Sequence, residues 1–158
     1  MTCGVGFELS DLAAAIKLPF RSQINGNLAC LADIGDCFRR VSAMSHSKLP
    51  GYYKDVHSVI LNDADIASIL LATVQLLDEK LQQDYPEYEF YPDAVKLALL
   101  DMEYNLGDAE LRKGYPHFDA AVNAQNWSLA AEQCGRDVSD PAFAARNAWT
   151  KQQFLSAV

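Results

Sequence analysis

Pro92-Asp-Ala-Val-Lys-Leu-Ala-Leu-Leu-Asp-Met-Glu-Tyr-Asn-Leu-Gly107 is the stretch that decides the fold. Its apolar residues Val95, Leu97, Ala98, Leu99, Leu100, Met102 and Leu106 cover more than one face of a helix, which predicts a segment surrounded by other helices. Proline suits the start of a helix and glycine its end, so the helix runs between Pro92 and Gly107. Asp101 and Asn105 stand four apart and share one face, while Leu99 and Met102 face the core. Glu103 lies seven residues after Lys96 and reads as an exposed acid on a shared polar flank.

Outward from this helix, other helical patterns follow. Asn62 caps a helix to about residue 83, whose apolar positions Ile66, Ile69, Leu70, Val74, Leu77 and Leu81 recur at three and four. Tyr85, Tyr88 and Tyr91 flank the prolines of the linker that breaks it. On the C-terminal side come a short helix around Phe118, a run capped by Asn126 before Trp127, and a last helix. Asp140-Pro141 supplies a cap and a first-turn proline for that last helix. Trp127 is read as a plug between helices, with sugar stacking as the alternative. The tyrosines carry the same pair of readings.

The N-terminal part is less regular. Residues 2–8 read as a short hairpin with a Gly-x-Gly turn. Ser10 caps a short helix over 11–16 that Pro19 stops, a second helix covers about 28–44, and residues 45–58 form a loop. The fold class is therefore mostly α with a small N-terminal β-hairpin. Residues 1–158 form one domain, divided into a small hairpin and insertion region over 1–60 and a helical lobe over 61–158.

Composition narrows the function classes. The 158 residues are 50% hydrophobic, enough for a real core. A net charge of -8 argues against a nucleic-acid partner, because phosphate contacts need a basic surface. No run approaches the roughly 18 apolar residues of a membrane helix, so no membrane insertion is expected. The start lacks the basic and apolar regions of a signal peptide, leaving the localisation open. His46, His57 and His117 make no close pair with another ligand, so neither a metal nor a cofactor is expected. Cys30 and Cys37 lie on one helical stripe about 10 Å apart along the axis, too far for a disulfide. The cysteines read as small buried hydrophobes. A bridge from Cys3 or Cys134 to one of the others stays open for a periplasmic protein.

The order of helices from 61 to 154, together with Thr2-Cys-Gly-Val-Gly-Phe7, resembles the phage-type lysozymes, muramidases that cut the glycan strands of peptidoglycan. The opening is similar to the Thr-x-Gly-x-Gly hairpin of that family's active site, with Phe7 where its members usually have His. The resemblance implies a lysozyme-like fold and a glycoside hydrolase that acts on the bacterial cell wall as an antibacterial effector, toxin or endolysin domain. Peptidoglycan strands are then the substrate, an immunity or inhibitor protein is a further partner, and the periplasm or cell wall is the place of action. It also implies that Thr2 lines the cleft and positions water. Asp101, Asn105 and Arg146, near the start of the last helix, would support the site.

In that family an essential Glu precedes the Thr, and here only Met1 stands before Thr2. The resemblance then implies either a longer parent protein that carries the acid or its replacement from within. Glu8, the only Glu before position 79, is the candidate for replacement. Two other classes stay open: a lysozyme-fold module that only binds wall glycan, and an unrelated α-helical interaction or immunity protein. The acidic net charge means that electrostatic attraction does not bring the chain to an anionic wall.

Overall fold

A computed structural model describes residues 2–3, 7–46, 48–136 and 141–158. The chain divides into two units, Met1–Leu71 and Ala72–Val158, where the sequence suggested a division after residue 60. The division falls inside a long helix, which the periodicity of 66–81 had marked as one element.

In the N-terminal unit, strands β1 (Thr2–Cys3) and β2 (Phe7–Glu8) pair antiparallel, with Thr2 opposite Glu8 and Cys3 opposite Phe7. Helix α1 (Leu12–Ala15) is capped by Asp11, whose carboxylate accepts the Ala14 N–H at 2.7 Å. Ser10 was the expected cap. Asp11 takes the role because the helix begins one residue later, and a capping oxygen reaches only two or three residues ahead.

Strand β3 (Arg21–Ser22) pairs antiparallel with β4 (Val59–Ile60), and a 3-10 turn covers Pro50–Tyr53 in what the sequence read as loop. Helix α2 (Leu31–Ser42) starts later than the expected residue 28. Residues 27–29 run instead alongside β3: Asn27 O accepts from Ser22 N at 2.8 Å, and Ala29 N donates to Phe20 O at 2.8 Å. Cys30 is extended at the N-cap, so its thiol is exposed rather than buried. Cys37 is buried as expected for a small hydrophobe, in a core with Leu9, Ala15, Phe20, Ile34 and Val59.

Helix α3 (Asp63–Asp84) opens as its cap predicts, with Asn62 Oδ1 accepting the Asp65 N–H at 2.7 Å. The C-terminal unit continues from it through α4 (Asp93–Leu106), α5 (Asp108–Lys113), α6 (Pro116–Asn123), α7 (Trp127–Gln133) and α8 (Pro141–Leu155). Gly107, at φ 75°, adopts a conformation that disfavours side chains, and it separates α4 from α5, a helix absent from the sequence reading. Asn126 caps α7 by accepting the Leu129 N–H at 3.1 Å. The expected cap Asp140 lies outside the described residues.

Helix α4 packs against α5 and α8, and Val95, Ala98, Leu99 and Met102 are fully buried. It is not surrounded on every side, because Leu97 is 53% exposed. Glu103 corrects the sequence reading more sharply: it is buried, not a solvated acid. It follows Leu99 by one turn and Met102 by one residue, which puts it on the core-facing stripe. Lys96 turns away from that stripe; its ammonium donates to Glu89 O at 2.8 Å and lies over the Tyr88 ring.

The three linker tyrosines are buried, which favours packing over stacking on a ligand. Tyr85 donates to Asp119 at 2.8 Å, Tyr88 to Asp78 at 2.7 Å, and Tyr91 to Val122 O at 3.3 Å. Trp127 is half-buried and meets the Tyr91 ring edge-on, with ring centroids 5.0 Å apart. All four cysteines are free thiols. Among the described residues, no helix is long and apolar enough to cross a membrane.

Candidate functional site

Helix α8 carries Arg146, Asn147 and Thr150 at spacings that put them on neighbouring positions of one face. Helix α4 presents Asp101 to that face. Arg146 Nε donates to Asp101 Oδ1 at 2.7 Å, and Nη2 lies 2.7 Å from the same oxygen. Asp101 Oδ2 accepts from Arg136 Nη2 at 2.5 Å.

The Thr150 hydroxyl lies 3.2 Å from Oδ2 and 2.9 Å from Arg146 O, so its single proton serves one acceptor at a time. It also accepts from Arg136 Nη2 at 3.3 Å. Arg136 is held by its backbone as well. Its N–H donates to Asn147 Oδ1 at 3.2 Å, and Asn147 Nδ2 donates back to Arg136 O at 2.9 Å.

Burial differs sharply across this cluster. The Arg136 side chain is 2% exposed and that of Arg146 39%. Among the described residues, Arg136 Nε and Nη1 are buried without a hydrogen-bond partner, and Asp101 is the carboxylate that compensates this guanidinium. Burial alone would push the Asp101 carboxyl up. The hydrogen bonds from Arg146 and Arg136, with their positive charges, outweigh that and hold it below the usual carboxylate range. Asp101 is therefore a fixed anion near neutral pH. It suits positioning of the two guanidinium groups and not proton donation.

Of the residues singled out in the sequence, Asp101 and Arg146 come together. Asn105 does not join them through its side chain; its amide donates to Asp101 O one turn back on the same helix. Residue spacing missed Arg136, Asn147 and Thr150. The i, i+4 pair Arg146 and Thr150 was a readable signal, whereas nothing local marks Arg136, which lies 35 residues from its partner. For Thr2 and Glu8 the structure gives the backbone register, which makes them cross-strand partners. Their side chains lie outside the described part. Among the described residues, no group of three or more His, Cys, Asp or Glu side chains could hold a metal ion.

No family model, no curated protein and no solved structure matches this chain.

Proposed function

We propose that this chain is a peptidoglycan-degrading glycoside hydrolase of the lysozyme kind. The observation that carries the reading is the pairing of Arg146, near the start of the last helix, with Asp101 on the 93–106 helix. The resemblance to phage-type lysozymes calls for polar residues from these same two helices at the site. The buried Arg136 adds a second cation to that carboxylate, a degree of fixing that a surface ion pair does not need.

Glycoside hydrolysis requires a proton donor for the leaving oxygen and a second carboxylate to activate water or attack the sugar. Asp101, ionised between two guanidinium groups, does not serve as the donor. Glu8 is the candidate donor within this chain, and Thr2, its cross-strand partner, is the candidate for holding the attacking water. Protonation of the glycosidic oxygen lets the anomeric C–O bond break. Water then adds its oxygen to the anomeric carbon and gives up a proton to a carboxylate.

Incubation with purified sacculi tests the reading directly. The chain should solubilise them, and Glu8→Gln should be slower by about 10²–10⁴-fold, the usual effect of losing a general acid. Full activity in Glu8→Gln would remove Glu8 while keeping the enzyme. Inactivity of both folded proteins would remove the hydrolase reading for the chain by itself.

A further inference from the structure

The N-terminal unit contains a pocket of about 810 Å³, within the range of roughly 300–1,000 Å³ typical of small-molecule sites. Its apolar lining includes Leu9, Phe20, Ile34, Phe38 and Val59. Among the described lining residues Lys48 is the one side chain with a full charge. His46 and His57 line the pocket with it, and no described lining residue is an Asp or Glu. In a chain of net charge -8, a described lining with a lysine and no acid sets the pocket apart.

The polar lining groups differ in what they have left to offer. His57 Nδ1 lies 3.2 Å from Tyr53 O and Nε2 lies 3.2 Å from Gln23 Nε2, so a neutral ring that donates from Nδ1 satisfies both contacts. The Tyr53 hydroxyl donates to Ser45 O at 2.8 Å and accepts from Lys48 N at 3.4 Å. That hydroxyl thus pins the backbone on both sides of His46. Lys48 is exposed, and among the described residues neither its ammonium nor the His46 ring has a hydrogen-bond or ion-pair partner. Among the described residues this leaves an uncompensated cation in the lining of a largely apolar pocket.

We propose that this pocket binds a small single-chain amphiphile with an anionic head, of the fatty-carboxylate class. The acyl chain lies against the apolar lining, where burial of hydrocarbon drives binding. The carboxylate meets Lys48, with His46 as a second donor, and a charge-assisted hydrogen bond there selects the anionic head over a neutral one. The residues assigned to the head group are Lys48 and His46, and the test reads ligand binding alone, so it stands or falls apart from the hydrolase reading.

Sodium decanoate and its neutral counterpart 1-decanol, titrated calorimetrically below the concentration at which decanoate forms micelles, separate the two contributions. Decanoate should bind one per chain. Lys48→Gln should weaken it about tenfold or more, in line with the loss of a hydrogen bond to a charged group, and leave decanol unchanged. Ser42→Trp, at an exposed position on the lining, should block both ligands; circular dichroism checks that each variant is folded. Equal decanoate affinity in Lys48→Gln would overturn the assignment of the head group. Binding untouched by Ser42→Trp, or no binding to the wild-type chain, would overturn the pocket as the site.

Discussion

Replacing Asp101 with Asn leaves the Arg136 guanidinium, 2% exposed, without the carboxylate that compensates it. Asparagine preserves the shape, so the change isolates the charge. Removal of one partner from a buried ion pair costs about 3–5 kcal/mol, because the remaining charge stays desolvated. Among the described residues Arg136 Nε and Nη1 have no hydrogen-bond partner, and the remaining acceptor at Nη2 is the uncharged Thr150 hydroxyl. The converse change at the rim should matter much less. Arg146 is 39% exposed, and Arg146→Gln should cost about 1 kcal/mol or less, as for exposed pairs. Urea denaturation at pH 7 followed by far-ultraviolet circular dichroism measures both, with the midpoint shifting at constant slope.

The same carboxylate sets an acid limit. Its pKa is lowered in the folded state, so its contribution is complete above the unfolded value of about 3.9 and is lost as the pH falls through the lower folded value. The stability gap between wild type and Asp101→Asn should therefore be constant from neutral pH down to about 4 and close below it. A cost under about 1 kcal/mol for Asp101→Asn at pH 7 would refute Asp101 as the compensating charge for Arg136.

Leu99→Ala and Met102→Ala should each destabilise the protein by about 2–5 kcal/mol, since both side chains are fully buried on α4; thermal melts with losses under about 1 kcal/mol at both would refute that placement. Burial first, then the hydrogen bonds to Asp119 and Asp78, raises the pKa of Tyr85 and Tyr88 above the ordinary tyrosine range. Their contribution to stability is full below about pH 10 and declines as the pH rises beyond it, so tyrosinate absorbance from these two should appear only with unfolding. A thiol reagent should label exposed Cys30 in the native protein and spare Cys37 and Cys134 until denaturant is added; labelling of all four at one rate would contradict the burial pattern.

Much of the helical framework was legible because local chemistry marks it. Asn62 and Asn126 cap their helices, Gly107 ends α4, and the period of 66–81 runs through α3. The β3–β4 pair was not legible. Two-residue strands are too short to show alternation, and their partners lie far apart in the sequence. Glu103 was misread for a related reason: its residue type says surface, while its position on the Leu99 and Met102 stripe says core, and the packing of neighbouring helices decided. At the Asp101 cluster the spacing marked Asp101 on α4 and the resemblance marked Arg146 on α8, but Asn147 and Thr150 beside it were passed over, and Arg136 enters from the segment after α7 with no periodic signature. Cys30 shows how one residue at a helix boundary changes character: one turn further in it would be core, and at the N-cap it is solvent-facing.

The most direct test of the proposed activity is the chemical identity of what the protein releases from purified sacculi. Mass analysis of the soluble fraction, before and after borohydride reduction, reads which bond has been cut. A muramidase should release muropeptides that end in reducible N-acetylmuramic acid, with their peptide crosslinks intact. Soluble products with uncut glycan and severed peptides, or no soluble products from the folded protein, would contradict the reading.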